Sequence, residues 1–248
     1  MRLFLTSLQF LTILPIPIKT SEEELGKSML FFPLVGFLIG GVLAGIYWIG
    51  TKLFPPTVIT AFLIIIWIFI TGALHLDGFA DTLDGLYAGK NREERLKIMR
   101  DKYVGVMGIV GIVTILLLKY TLLLSLATPQ VFKTLILTPA LSRWGMVVAA
   151  SISPYAREEG KGKVFIEGVK KWYAPFQGMI LLAISIWLFG FLTGISLISP
   201  LIIFLWLSGI FFQRRIGGVT GDTLGAVNEV GETLILMLVV LLKDGMIL

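Results

Sequence analysis

The stretch Gly72-Ala-Leu-His-Leu-Asp-Gly-Phe-Ala-Asp-Thr-Leu-Asp-Gly85 follows a strongly apolar run and places Asp77, Asp81 and Asp84 within eight residues. On a helix, spacings of four and three put all three carboxylates on one face, within roughly a 60° wedge. Adjacent anions at the end of a membrane helix repel one another, so they need a cation or a proton to coexist. The available donors are oxygen, because the chain has no Cys and a single His. Such a set suits a hard ion, Mg²⁺ or Mn²⁺, better than zinc. The plain structural alternative is a solvated acidic helix end that terminates a span, and the surrounding sequence has to decide between the two.

Hydrophobic residues make up 56% of the 248 positions and charged residues only 15%. That composition belongs to an all-α, polytopic membrane bundle, read here as a single domain over residues 1–248. The absence of Cys excludes a disulfide framework, a thiolate metal site and a cysteine nucleophile. Residues 1–19 are apolar but broken by Pro15 and Pro17, too short to cross about 30 Å of hydrocarbon at about 1.5 Å per residue. They read as an interfacial or re-entrant segment, and they lack the basic region and small-residue cleavage site of a signal peptide. Ser21 with Glu24 forms a capping-box pattern that starts the next helix.

Seven spans follow, at about 28–51, 57–76, 104–127, 131–152, 176–195, 198–213 and 226–243, with interfacial helices beside them. Gly36, Gly40, Gly41 and Gly45 give the first span small residues for close helix contact. The second span is expected to run straight into the aspartate cluster. Residues 91–102 read as a surface helix with interleaved charge. The N-terminal region and the segments 77–103, 153–175 and 214–225 hold sixteen of the twenty-one Lys and Arg residues. The opposite side holds little more than Lys52, Lys133 and Lys243. This bias predicts a cytoplasmic N-terminus, with both acidic stretches on the cytoplasmic side of the cell membrane.

The second polar stretch, Gly217-Gly-Val-Thr-Gly-Asp-Thr-Leu-Gly-Ala-Val-Asn-Glu-Val-Gly-Glu232, leads into the last span. Asp222 and Glu229 share a helix face, and Glu232 lies about 60° further round. Gly217, Gly218 and Gly221 would leave backbone N–H groups free to approach a phosphate at the helix start. Arg143 lies too deep in its span to snorkel, so it should pair with an acid or with a substrate phosphate. Lys119 can snorkel, His75 fits either a packed core position or a base, and Arg100 reads by default as solvated. Hard-ion ligands, a glycine-rich helix start and a buried arginine together suggest phosphoryl or nucleotidyl transfer. Residue chemistry alone does not name the substrate.

The segments His75 to Gly85, Met99-Arg-Asp-Lys-Tyr-Val-Gly105, Ser142-Arg143 and Gly217 to Ala226, followed by Glu229 and Glu232, resemble the cobalamin synthase family, the adenosylcobinamide-GDP ribazoletransferases. The resemblance implies an Mg²⁺-dependent integral membrane enzyme that joins adenosylcobinamide-GDP to α-ribazole or its phosphate and releases GMP. It further implies metal held by Asp77, Asp81, Asp84 and Asp222, with Glu229 as a further ligand. Arg143, Lys119, Arg100 and the three glycines would serve phosphate, and His75 or a carboxylate would take the hydroxyl proton. The lipid bilayer is the implied surroundings and no nucleic acid partner is expected; a homo-oligomer or docking with other corrinoid-pathway enzymes stays open.

Two other readings compete. CDP-alcohol phosphotransferases share Asp81-x-x-Asp84-Gly85-x-x-Ala88, but Gly89 stands where their pattern needs Arg. A cation-coupled transporter would use the same carboxylates for a coupling ion, yet usually near the midplane and with repeat symmetry, which this sequence does not display.

Overall fold

The computed structural model describes residues 1–242. Lys243 and the end of the seventh expected span lie outside the described residues. Twelve α-helices are present among the described residues: α1 (Arg2–Leu11), α2 (Glu22–Ser28), α3 (Phe32–Gly50), α4 (Pro56–Ile70), α5 (Leu74–Ala88), α6 (Arg92–Ile98), α7 (Val106–Leu124), α8 (Thr128–Ile152), α9 (Lys161–Gly168), α10 (Tyr173–Phe189), α11 (Phe191–Ile216) and α12 (Gly221–Leu242). A 3₁₀ turn, Met29–Phe31, joins α2 to α3. The Ser21–Glu24 capping box starts α2 as the sequence predicts.

Five segments are long and apolar enough to cross a membrane, and two bent pairs, α4 with α5 and α9 with α10, raise the number to seven if each pair is one span. A polytopic helical membrane bundle is therefore observed, with two differences from the expected spans. The second does not run straight into the aspartates. It bends by 86° between α4 and α5, where Gly72 (φ 59°) and Ala73 (φ 55°) both enter the left-handed region. Glycine does this at little cost, whereas alanine needs the surrounding packing to hold it there. The second difference concerns the turn between the fifth and sixth spans. It falls at Gly190, and α11 then continues through Pro200 for 26 residues.

Close helix contact builds the centre. Cβ atoms added at Gly36 and Gly40 of α3 would each lie 2.4 Å from a carbonyl oxygen of α8. Gly41 and Gly45 face open space instead, so only half of the glycine stripe is a packing surface. Helix α5 runs along α7 and α12 in the opposite direction. Gly225 backs onto His75 and Gly78 onto Asp222, while Gly111 meets Phe79 and Leu83.

At one end of the bundle, the three polar connections meet. Arg92 donates to the carbonyls of Ile216 and Ala156, both at 2.9 Å, and Arg95 donates to Arg215 O at 3.1 Å. Arg100 donates to Glu159 O at 2.8 Å. Val219 N–H donates to Pro154 O, and Ala156 N–H to Val219 O. The loops grouped on one side by their Lys and Arg content are thus in direct contact.

Candidate active site

The three aspartates of α5 share a helix but divide between two neighbours. Asp84 is buried and turned toward α7, where its carboxylate accepts from Gly105 N–H at 2.6 Å and Gly108 N–H at 2.8 Å. It thereby satisfies two of the unpaired donors at that helix start and complements its dipole. Asp77 instead borders a cleft of about 250 Å³ that it shares with His75, Tyr155, Arg157 and Asp222. Asp81, half-buried, lies in the field of Asp77, Asp222 and Asp84, with Arg157 as the opposing charge.

Asp222 enters from the first turn of α12. Thr220 caps that turn, accepting from Thr223 N–H at 3.2 Å, while Thr220 N–H donates to Thr223 Oγ1 at 2.8 Å. The approach of α5 to α12 depends on Gly78, where a Cβ would lie 2.9 Å from both the Cα and the carbonyl oxygen of Asp222. Arg157, from the loop after α8, donates to Asp222 Oδ2 at 2.7 Å. Next to it, burial pushes the Tyr155 phenol above its ordinary range and keeps it neutral, with Arg157 pulling the other way. An outer groove of about 460 Å³, bordered by Arg92, Lys97, Arg100 and Glu159, shares Arg157 with the inner cleft.

Glu229, Lys119 and Arg143 occupy a different layer. Seven residues along α12 separate Glu229 from Asp222, about 10 Å of helix. Lys119 donates to Glu229 at 2.6 Å and also to Glu232, and Arg143 pairs with Glu232. Ser142 and Asn228 donate to the same Glu232 carboxylate, at 3.3 and 3.2 Å. Two cations and two anions cancel there, the arrangement that makes ionised groups tolerable inside a bundle. The expectation that Arg143 pairs with an acid holds. In this arrangement Glu229 is a lysine partner rather than a metal ligand, and neither Lys119 nor Arg143 lines the cleft.

The glycine-rich stretch also differs from its expected role. Gly217 N–H donates to Gln213 O and Gly218 N–H to Phe212 O, so both finish α11 and neither offers a free donor to phosphate. Gly221 does line the cleft. Arg100 stands at the outer groove, holding Glu159. Sequence reading missed Arg157, one of five basic residues in its segment, because no spacing distinguishes it. It missed Tyr155 for the same reason.

His75 is 2% exposed and borders the cleft, and neither ring nitrogen has a hydrogen-bond partner among the described residues. Among the described residues, no three His, Cys, Asp or Glu side chains close around one point as a metal cage. Mg²⁺ does not require such a cage; it commonly takes one or two carboxylates, with water and substrate phosphate completing its shell. The oxygen-only set Asp77, Asp81 and Asp222, drawn from two helices, suits that mode.

The cobalamin-5-phosphate synthase family model matches residues 3–240. A Geotalea daltonii protein named adenosylcobinamide-GDP ribazoletransferase is 40% identical over 97% of this chain and 97% of its own length. Proteins of the same name from Acetivibrio thermocellus, 40% identical over 94% of this chain and 95% of their own, and Acinetobacter baumannii, 39% identical over 94% of each, agree. No solved structure matches the chain. With its aspartate-lined cleft and an alignment that runs nearly end to end, the chain belongs to the cobalamin-5-phosphate synthase family.

Proposed function

We propose that this protein is an adenosylcobinamide-GDP ribazoletransferase acting late in cobalamin assembly. The observation that carries the reading is the meeting of Asp77 of α5 with Asp222 of α12 and the Arg157 guanidinium around one cleft, with Asp81 within the field of all three. A ribazole hydroxyl attacks the cobinamide-side phosphorus of the diphosphate. The new O–P bond forms as the bond to the GMP oxygen breaks, and the hydroxyl proton passes to a base.

Arg157 offers forked donors where negative charge accumulates on the phosphoryl oxygens. Its bond to Asp222 fixes the guanidinium before substrate arrives. His75 and Asp77 are the cleft groups able to accept the proton. Mg²⁺ held by Asp77, Asp81 and Asp222 would supply neutralisation of the diphosphate and of the leaving GMP. Asp84 acts indirectly, by fixing α7 against the same helix. The site belongs on the cytoplasmic face of the cell membrane, a placement supported by the Lys and Arg bias and by the contact of the three basic connections.

The test is product analysis by mass spectrometry on purified protein in detergent, given Mg²⁺, adenosylcobinamide-GDP and α-ribazole, beside the same reaction with EDTA. GMP and adenosylcobalamin should appear in the first reaction and vanish in the second. Folded protein that yields neither product would refute the reading, and product that persists under EDTA would refute the metal requirement.

A further inference from the structure

The cleft's lining is of two chemical kinds. Asp77, His75, Arg157 and Asp222 form one. The other is built from Phe10 of α1, Met29 of the 3₁₀ turn, Phe32 of α3, Met146 of α8 and Phe165 of α9. The Phe10 and Phe165 rings stand 4.2 Å apart between centroids, and Phe32 lies 6.0 Å from each. These residues come from five separate elements, so the apolar part is assembled by the tertiary fold. Protein interiors seldom leave such a space, since open apolar volume forfeits packing. Mostly apolar walls with a few convergent polar groups are the usual make-up of a small-molecule site.

We infer that this apolar part is the acceptor-base pocket, holding the flat bicyclic base of α-ribazole against Phe10, Phe32 and Phe165 while the ribose hydroxyl reaches Asp77 and Asp222. The inference rests on the functional reading above and adds to it which substrate enters the cleft and which way round. A cleft of about 250 Å³ suits one base with its ribose; a corrinoid joined to a nucleoside diphosphate is far larger. Glycosylated at one nitrogen, that base is planar, keeps a single ring acceptor and presents no N–H that burial would leave unpaired, which matches walls of Phe and Met side chains. The more polar donor is left to approach from the outer groove, where Arg157 is shared.

Steady-state kinetics on Phe165→Ala and Phe10→Ala, with the concentrations of donor and acceptor varied separately, test the assignment. Each variant should raise KM for α-ribazole about tenfold or more and leave KM for adenosylcobinamide-GDP within about twofold. Phe165→Leu, which keeps most of the apolar volume, should fall between them and the unchanged enzyme. Equilibrium dialysis of α-ribazole against the full-length protein, with GDP present but no corrinoid, provides a readout that does not need turnover. Binding should weaken in parallel with KM. An increase in donor KM with acceptor KM unchanged, or α-ribazole binding insensitive to all three substitutions, would overturn the pocket assignment. Absence of cobalamin from the unsubstituted enzyme would instead count against the functional reading, and dialysis would still decide the pocket.

Discussion

Gly78 sits so close to Asp222 that one added carbon would stand 2.9 Å from that residue's backbone. Because the opposing atoms are main chain, they cannot swing aside as a flexible side chain could. Gly78→Ala must therefore push α5 away from α12 and separate the carboxylates that face each other across them. Turnover should fall by at least about tenfold, since misplacement of about 1 Å can cost a hundredfold. Gly41→Ala, a change into open space, should alter stability by less than about 0.5 kcal/mol. Parallel assays of turnover and thermal unfolding in detergent separate the two, and equal activity in both variants would show that the helix contact does not set the site.

Arg157 supplies the guanidinium that lines the cleft. Arg157→Gln should lower kcat by about 10²-fold, the scale for removing one donor aimed at developing charge. The same substitution leaves Asp222 without its cation, so the Mg²⁺ concentration giving half-maximal rate should shift. A magnesium titration of the residual rate would reveal that shift. An unchanged kcat would remove Arg157 from the mechanism.

Asp81 and Asp84 are alike in the sequence and unlike in the fold. Asp81→Asn should abolish measurable turnover with little change in unfolding temperature. Asp84→Ala removes the cap of α7 and should cost about 0.5–2 kcal/mol in stability, with activity lost in step with the shift of that helix. If the unfolding temperatures of the two variants were indistinguishable, the division of roles would be wrong.

Glu232 lies between two cations deep in the bundle. Glu232→Gln leaves Arg143 and Lys119 with one carboxylate between them, and breaking a buried pair costs about 3–5 kcal/mol. The combined change Lys119→Met with Glu229→Gln removes one charge of each sign and should destabilise by less than the sum of its parts. A double-mutant cycle on unfolding free energies measures the difference, and strict additivity would show that the four charges act independently.

Much of this was legible in the chain. Uncharged runs placed most of the helices, the Lys and Arg bias grouped the loops that Arg92, Arg95 and Arg100 hold together, and Asp77, Asp81 and Asp84, with Asp222, Glu229 and Glu232, stood out as acids that a membrane protein keeps only with partners. The sequence could not show how each acid is used. Helical spacing puts Asp84 beside Asp81, but only the fold brings the start of α7 within hydrogen-bonding distance of it. Glu229 shares a face with Asp222, yet about two turns of helix lie between them, and periodicity reports direction without depth. The bend passes through Gly72 and then Ala73, against alanine's own preference, so the one glycine is its only local signal. Phe10, Phe32 and Phe165 lie up to 155 residues apart and looked like any other apolar residues of a membrane chain.

The arginines that tie the loops together grasp main-chain oxygens at Ala156, Glu159, Arg215 and Ile216. Every amino acid supplies a carbonyl, so the identity demanded by these ties falls on the donor alone. The exposed receiving positions, 159 and 215, are free to change, and to acquire new surface chemistry, without loosening the frame that aims Arg157 at Asp222. A mutational scan should find Arg92 intolerant of exchange even to Lys, which lacks the fork that reaches two carbonyls at once, while positions 159 and 215 accept most residues.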